Sequence, residues 1–485
     1  MKSLILISGF FLCLLMATNG QTVVWDSPQQ VAGSNYGNLH PRIRTDRAGN
    51  PVILWGKTSS QSVYFSRMSS GNFTAPVILN PVSQPAFTAS WAGPDITSFG
   101  DTIYAVYKHT PEDTNHIYLT HSYDAGFTFS TPVRVDFIAD SISRFPTVST
   151  DQSGNPLVAF MKFDPGFINS RYVVSKSTDY GLSFSQDVLA SGFSGGTVCD
   201  CCPASLINRN NKTLMLYRDN LNNVRTIWAG LSTDGGSNFL SGFEADPTGW
   251  VINACPATGP DGVLIGDSLF TVFMSAATGN SLVYLSSLDL SNPVFVSVIP
   301  LTGNFSGLSN QNYPRISQEG SSVGIVWPQS INGQGQLAFK FTQDIHTITT
   351  NTFDTIALGN IENADIHIYK DEIHVVWQDN ASGTVWYRKG SITSTNNVNE
   401  IDKSVFAVAG NPVSANQLTI QTDANKNIFG IVRIQNSIGQ ILFQKSTELS
   451  PGTNTFSIPG LSQGIYLLSI ESKDSLYQLK LSVDK

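Results

Sequence analysis

His40-Pro41-Arg42-Ile43, followed after a turn by Pro51-Val52-Ile53-Leu54-Trp55, is the first copy of a pattern that recurs along the chain. A residue pair ending in Pro opens a short run, a turn follows, and a string of aliphatics ends in an aromatic ring. Further copies begin at Gly93-Pro94, Phe145-Pro146, Cys202-Pro203, Cys255-Pro256, Tyr313-Pro314 and, with Pro replaced, Asn363-Ala364, which makes seven. Counted from the second residue of each pair, the ring comes 13 or 14 residues later at Trp55, Tyr107, Phe160, Tyr217, Trp327 and Trp377, and 17 later at Phe273. The late ring reads as a loop insertion in that copy.

Past the ring, alternating segments such as Ser62–Ser66, His116–Thr120 and Arg171–Ser175 read as third strands, and Pro76–Leu79 and Pro132–Val135 as fourth strands. Four short strands cannot bury both their faces alone. Stacking such sheets radially buries the rings between neighbours and hides most edges. The reading is an all-β chain: a seven-bladed β-propeller over residues 21–392, then a small C-terminal β-sandwich. The last repeat, Asp365 to Lys389, lacks a fourth strand, and Val23–Val31 reads as that strand without a repeat before it. The N-terminal segment is therefore expected to close the ring beside Trp377.

Composition agrees. Charged residues make up 13% and aromatics 11% of the 485 residues, and Gly, Ser, Thr and Asn abound, a mix suited to short strands joined by turns. With 36 acidic against 28 basic side chains and no basic stretch to track phosphates, nucleic acid is excluded as an expected partner. Lys2, the apolar run Leu4–Met16 and the small or polar Ala17–Gly20 form a secretory signal over residues 1–20. Cys13 falls inside that run and leaves with it. No later stretch is apolar for the roughly 18 residues a transmembrane helix needs. The product is expected to be secreted or held at the outer-membrane surface, where cysteines can pair.

Three octapeptides occupy the turns after third strands: Ser122–Phe129, Ser177–Phe184 and Ser232–Phe239, spaced by 55 and 55 residues. Each reads Ser-x-Asp-x-Gly-x-x-Phe. The carboxylates of Asp124, Asp179 and Asp234 can accept bonds from their own turns, and Gly126, Gly181 and Gly236 can take the positive φ such turns demand. Phe129, Phe184 and Phe239 can then drop between sheets. The pattern resembles the Asp box, or BNR repeat, of the sialidase-like propellers. The boxes are read as structural, since propellers sharing them differ in chemistry.

Propeller geometry places the first strands of the repeats around one axis. After each Pro position the ring reads Arg42, Asp95, Thr147, Ala204, Ala257, Arg315 and Asp365; before it, His40, Gly93, Phe145, Cys202, Cys255, Tyr313 and Asn363. The sialidase resemblance implies an arginine clamp on a substrate carboxylate, a tyrosine nucleophile activated by a glutamate, and an aspartate that handles protons. Arg42 and Arg315 are the candidate clamp, and Asp95, Asp365 and Tyr313 the candidate catalytic residues. The chain departs from that family. Sialidase domains have six blades, their Arg-Ile-Pro order is rearranged here, and a third arginine is represented only by Arg144 or Arg218, outside the register. The competing reading makes these arginines bridges between blades, bound to Asp95 and Asp365.

The four cysteines after the signal lie in Cys199-Asp200-Cys201-Cys202-Pro203 and Cys255-Pro256, which the register places on adjacent blades. Two disulfides in any of three connectivities are one reading. The other is a thiolate site for copper or zinc, with His40 as an additional ligand.

An Asn-rich linker, 393–402, leads to a separate pattern over 403–485. Strand-like runs at Leu418–Ile420, Ile431–Ile434, Gln440–Phe443 and Gly464–Leu468 are separated by turn residues including Gly410, Gly430, Gly439, Pro451-Gly452 and Pro459-Gly460. With its Asn411-Pro412 start, its Gly439 turn and its Gly-Ile-Tyr-Leu-Leu strand, this stretch resembles the C-terminal sorting domain of the type IX secretion route of Bacteroidetes. That resemblance implies the type IX machinery as a partner. The expected function is a sialidase-like protein that binds or hydrolyses an extracellular glycan or small acidic ligand, an exo-acting glycoside hydrolase if it is an enzyme. The alternatives are a non-catalytic surface binder and a cysteine-ligated metal protein.

Overall fold

The computed structural model describes residues 21–33, 36–139, 141–348, 352–394, 406–414, 416–422, 427–436, 440–472 and 475–484. The signal segment 1–20 and most of the linker lie outside them. Among the described residues the chain is all β, its one helical element a single 3-10 turn at Ile345–Thr347. Two compact units separate, one over 23–392 and one holding the C-terminal residues from 393.

In the larger unit, seven sheets each contain a path of four antiparallel strands. We number them in chain order: I (38–73), II (95–134), III (142–189), IV (197–244), V (261–300), VI (308–358) and VII (361–394 with 21–30). Sheet VII takes its outer strand from the N-terminus, as the sequence predicts. Gln21–Trp25 lies beside Thr384–Ser394, the Asp26 N–H donates to the Lys389 carbonyl at 2.9 Å, and Val31 N–H donates to the Val385 carbonyl at 2.9 Å. The first strand of every sheet touches that of the next, and Ile361–Tyr369 of sheet VII touches Asn38–Thr45 of sheet I, which closes the circle.

The rings predicted to end second strands are buried between sheets. Trp55, Tyr107, Phe160, Tyr217, Phe273 and Trp327 are at most 1% exposed and Trp377 is 3% exposed. Apolar clusters lie between I and II around Phe65 and Tyr107, between III and IV around Tyr172 and Tyr217, and between VII and I around Trp55 and Tyr387. Large-to-small changes at such packed rings typically cost about 3–5 kcal/mol. Burial of this kind, repeated at every junction, holds the circle.

The octapeptide turns carry one hydrogen-bond pattern three times. In the second, Ser177 Oγ donates to Asp179 Oδ1 at 2.8 Å and accepts from Gly181 N–H at 2.8 Å, while Asp179 accepts from Ser183 N–H at 2.9 Å. The first and third repeat it through Ser122 with Asp124 and Ser232 with Asp234. Gly126, Gly181 and Gly236 have φ of 82°, 89° and 84°, and a Cβ on Gly126 would stand 2.5 Å from the Phe65 ring. Phe129, Phe184 and Phe239 enter the clusters between I and II, II and III, and III and IV.

One register assignment is corrected. The first strand of sheet V is Asp261–Ile265, so the copy that matches Gly93-Pro94-Asp95 is Gly259-Pro260-Asp261 and not Cys255-Pro256. Phe273 then follows Pro260 by 13 residues, like its counterparts, and no insertion is needed. Asp261 replaces Ala257 on the ring.

In the smaller unit a three-stranded sheet (Phe406–Val408, Gln417–Thr422, Gly452–Ser457) and a five-stranded sheet share one core of Leu418, Ile420, Val432, Ile434, Leu468, Ile470 and Leu481. Gly430, read as a turn, lies inside the strand Ile428–Gln435. A Cβ there would meet the Glu471 carbonyl at 2.7 Å, so this glycine lets two paired strands approach. Gly452 likewise begins a strand, and Gly439 lies outside the described residues.

Candidate functional site

The head of each first strand faces the axis, and there a small cavity of about 50 Å³, partly open to solvent, is lined by His40, Arg42, Asp95, Phe145, Tyr313 and Arg315 among others. Four of the five candidate catalytic residues therefore meet: Arg42 from sheet I, Asp95 from II, and Tyr313 and Arg315 from VI. Asp365 is 1% exposed and stands behind the wall.

Three aspartates act as clasps between sheets. Asp95 Oδ2 accepts from Val148 N–H at 3.1 Å and Thr147 Oγ1 at 2.7 Å, joining II to III. Asp261 Oδ2 accepts from Ile316 N–H at 3.0 Å, and Asp365 Oδ2 from Ile43 N–H at 3.0 Å, joining V to VI and VII to I. Each carboxylate thus satisfies a backbone donor that the neighbouring first strand would otherwise bury unpaired. Burial opposes charge on Asp365, but Arg315, Arg44 and Arg42 overcome it and hold its pKa well below the usual carboxylate range.

Arg315 is doubly anchored, its Nε 3.0 Å from Asp365 Oδ1 and 3.4 Å from Asp261 Oδ2. Burial works against its charge, and Asp261, Asp365 and Asp95 outweigh it and raise its pKa. Arg42 is less well served. Its Nη1 donates to the Pro41 carbonyl at 2.9 Å, and its nearest carboxylate oxygen, Asp95 Oδ1, is 3.8 Å from Nε. Burial first, and then Arg315, push its pKa down to about 10. It remains a cation at neutral pH.

His40 holds Arg42 in place. Arg42 Nη2 donates to His40 Nε2 at 2.7 Å, which makes His40 Nδ1 the protonated nitrogen, facing the Ser90 carbonyl at 3.4 Å. Burial, with Arg42 beside it, keeps the imidazole pKa well below its ordinary value. Its acceptor nitrogen is engaged by Arg42, and the sulfur cluster of Cys199, Cys201 and Cys202 does not include it. Tyr313 is a neutral phenol, its pKa pushed up to about 12 by burial and by Glu362. His40, Phe145 and Tyr313, at matching positions, take φ of 56°, 48° and 44°, a left-handed conformation that costs bulky residues energy and recurs at binding sites.

Neither stand-in for a third arginine lines the cavity. Arg144 pairs with Glu112 at 2.9 Å, and Arg218, fully buried, donates to the Met274 and Thr258 carbonyls. Asp261, Arg44, Trp91 and Glu362 were not singled out from the sequence. Asp261 was legible in its repeat of the Gly-Pro-Asp tripeptide; for the other three no spacing signal exists.

On sheet IV, Cys201 and Cys255 form a disulfide. The register pointed to Cys202 as the neighbour of Cys255; with Cys255 lying outside the first strand, Cys201 makes the bond instead. The Cys199 and Cys202 sulfurs, both buried, are 2.8 Å apart.

Comparison with known proteins separates the two units. Residues 407–484 match the family described as Secretion system C-terminal sorting domain. The chain is thus routed outward through the type IX machinery, to secretion or the outer-membrane surface, and no helix among the described residues is long and apolar enough to cross a membrane. A search of curated proteins returned no match. Among solved structures, a polysaccharide lyase, an ulvan lyase bound to -[GlcA(1-4)Rha3S]-, aligns with TM-score 0.51 at 10% identity, covering 76% of this chain and 96% of its own. A protein of unknown function from Dyadobacter fermentans aligns at 0.46 and 10% identity, covering 76% and 99%. An alpha-L-arabinanase of Penicillium chrysogenum aligns at 0.40 and 13% identity, covering 77% and 98%. At such identities the likeness concerns fold alone. The closed circle of four-stranded sheets is that of a β-propeller.

Proposed function

We propose that this is a secreted, seven-bladed, sialidase-like propeller that binds the anionic group of an extracellular glycan in its axial cavity, between Arg42 and Arg315. One observation carries the reading: two guanidiniums from sheets I and VI, that of Arg42 buried and that of Arg315 partly exposed, face a single open cavity whose lining holds Asp95 as its one carboxylate. Arg42 in particular is depressed by burial and then by Arg315, and its nearest carboxylate oxygen stands 3.8 Å away, so an arriving anion would relieve a repulsion already present. Tyr313 supplies a neutral hydroxyl at the rim.

Binding is favoured over hydrolysis. A pair of carboxylates flanking a glycosidic bond needs two free members, and the Asp95 and Asp365 oxygens are engaged between sheets. Calorimetric titration with glucuronate, an acidic sugar, tests the reading. Arg42→Ala should weaken binding by about tenfold or more, in line with the loss of a charge-assisted hydrogen bond, and Arg315→Lys, which keeps the charge but not the fork, should weaken it as well. Full affinity in both variants contradicts the proposal.

For the cysteines we propose Cys199–Cys202 as the second disulfide. Two unbonded sulfurs would not rest at 2.8 Å, and with Cys201 bound to Cys255 the loop keeps two thiols, fewer than the four ligands of a structural zinc site.

A further inference from the structure

Beside the axial cavity a second cleft opens between sheets VI and VII, enclosing about 1310 Å³ of space including open solvent, and Tyr313 lines both. Its walls differ in kind from those of the axis. Six amides line it, Asn310, Asn312, Gln329, Gln334, Asn360 and Asn380, with Glu362 as the one charged residue of the lining. Glycines leave the floor as bare backbone, and a Cβ on Gly335 would stand 2.2 Å from the Gly359 carbonyl.

An amide offers a donor and an acceptor side by side, the pattern that neighbouring hydroxyls of an uncharged sugar complement. Gln329 is the most constrained. It is 3% exposed, and its Oε1 accepts from Trp327 Nε1 at 2.9 Å and Gln311 Nε2 at 2.7 Å. Those two bonds fix the amide, and its Nε2 has no partner among the described residues. That nitrogen is enclosed by protein, so Gln329 is a fixed wall of the cleft, and the exposed amides of Asn310, Gln334 and Asn360 are the ones open to a ligand. Asn380 Nδ2 donates to Glu362 Oε2 at 2.8 Å, which sets that carboxylate beside Tyr313.

We propose that this cleft holds uncharged sugar residues next to the anionic residue on the axis, so that the ligand is a heteroglycan chain running from the axis outward between sheets VI and VII. The inference rests on the axial reading above. The axis selects charge, and the cleft selects hydroxyls.

Calorimetry with glucuronate alone and with alternating glucuronate–neutral-sugar di-, tetra- and hexasaccharides tests it. The expected result is an affinity gain of about tenfold or more from monosaccharide to tetrasaccharide. The double variant Gln334→Ala, Asn360→Ala should lose that gain and keep wild-type affinity for glucuronate. Gln334→Trp, which fills the cleft from an exposed position, should do the same without disturbing a buried group. If glucuronate binds but longer chains bind no tighter, or if both cleft variants retain the gain, the cleft proposal falls and the axial one stands. If neither glucuronate nor any chain binds the native protein, both fall.

Discussion

Arg42 and Arg315 show how the same residue type serves two ends within one cavity. Arg315 is bound on both sides by carboxylates, so it acts as a bridge between sheets as well as a wall of the site. Arg42, oriented by His40 and with no carboxylate oxygen nearer than 3.8 Å, is the freer cation. At the octapeptide turns, by contrast, the Ser and Asp side chains are paired within the turn itself. Ser177 is buried and holds both Asp179 and the Gly181 N–H, so Ser177→Ala should cost about 1–2 kcal/mol by leaving that N–H unpaired. Chemical denaturation should return similar losses for Ser122→Ala and Ser232→Ala, and unchanged midpoints would refute the structural role. Spacing made Arg42, Asp95, Tyr313 and Arg315 legible because the repeat puts matching positions on one axis. Glu362 was not legible, since its place in the cleft depends on how two sheets meet. Asp365 was legible in position and, in the competing reading, as a carboxylate bound by an arginine between sheets; its bond from Ile43 N–H was not, because only the fold shows which backbone donors a carboxylate faces.

At the scale of strands and loops, second and third strands were readable from aliphatic runs and alternation. Two fourth strands were read as well, Pro76–Leu79 and Pro132–Val135, and strands stand there at Val77–Ile78 and Val133–Arg134, although two residues carry too few positions for a period. Sheet V misled the register because Cys255-Pro256 mimics the opening pair four residues before Gly259-Pro260. That decoy belongs to the loop that carries the disulfide. Cys199, as a thiol, is held down to about 7 by its hydrogen bond from Cys202, so it has thiolate character facing a sulfur 2.8 Å away, in a compartment that favours oxidation. Alkylation and mass spectrometry of the unreduced protein should find no free thiol after the signal, with peptides linked as Cys199–Cys202 and Cys201–Cys255. Free thiols together with bound copper or zinc would contradict the pairing.

The larger unit is a circle closed by burial, and burial sets its response to acid. His109 and His374, at most 2% exposed, have pKa values lowered to about 4, chiefly by desolvation, and His40 is lowered as well. The unfolded chain takes up protons on these groups below their ordinary value of 6.5 while the folded protein does not. The contribution of these groups to stability is therefore complete above pH 6.5 and lost as pH falls toward about 4, at up to about 1.4 kcal/mol per pH unit for each group. Thermal melts across that window should show a falling midpoint; a flat profile would mean these imidazoles titrate normally. The circle itself was legible from the copies of the strand pattern and from the N-terminal strand without a partner, and the tail from its Asn-Pro start and its strand runs. Which substrate the axis meets is a matter of cavity chemistry, and one measurement addresses it directly: a crystal structure of the protein soaked with glucuronate. The account predicts the sugar carboxylate in the axial cavity within hydrogen-bonding distance of both Arg42 and Arg315. Glucuronate bound elsewhere, with the axial cavity left to solvent, would contradict it.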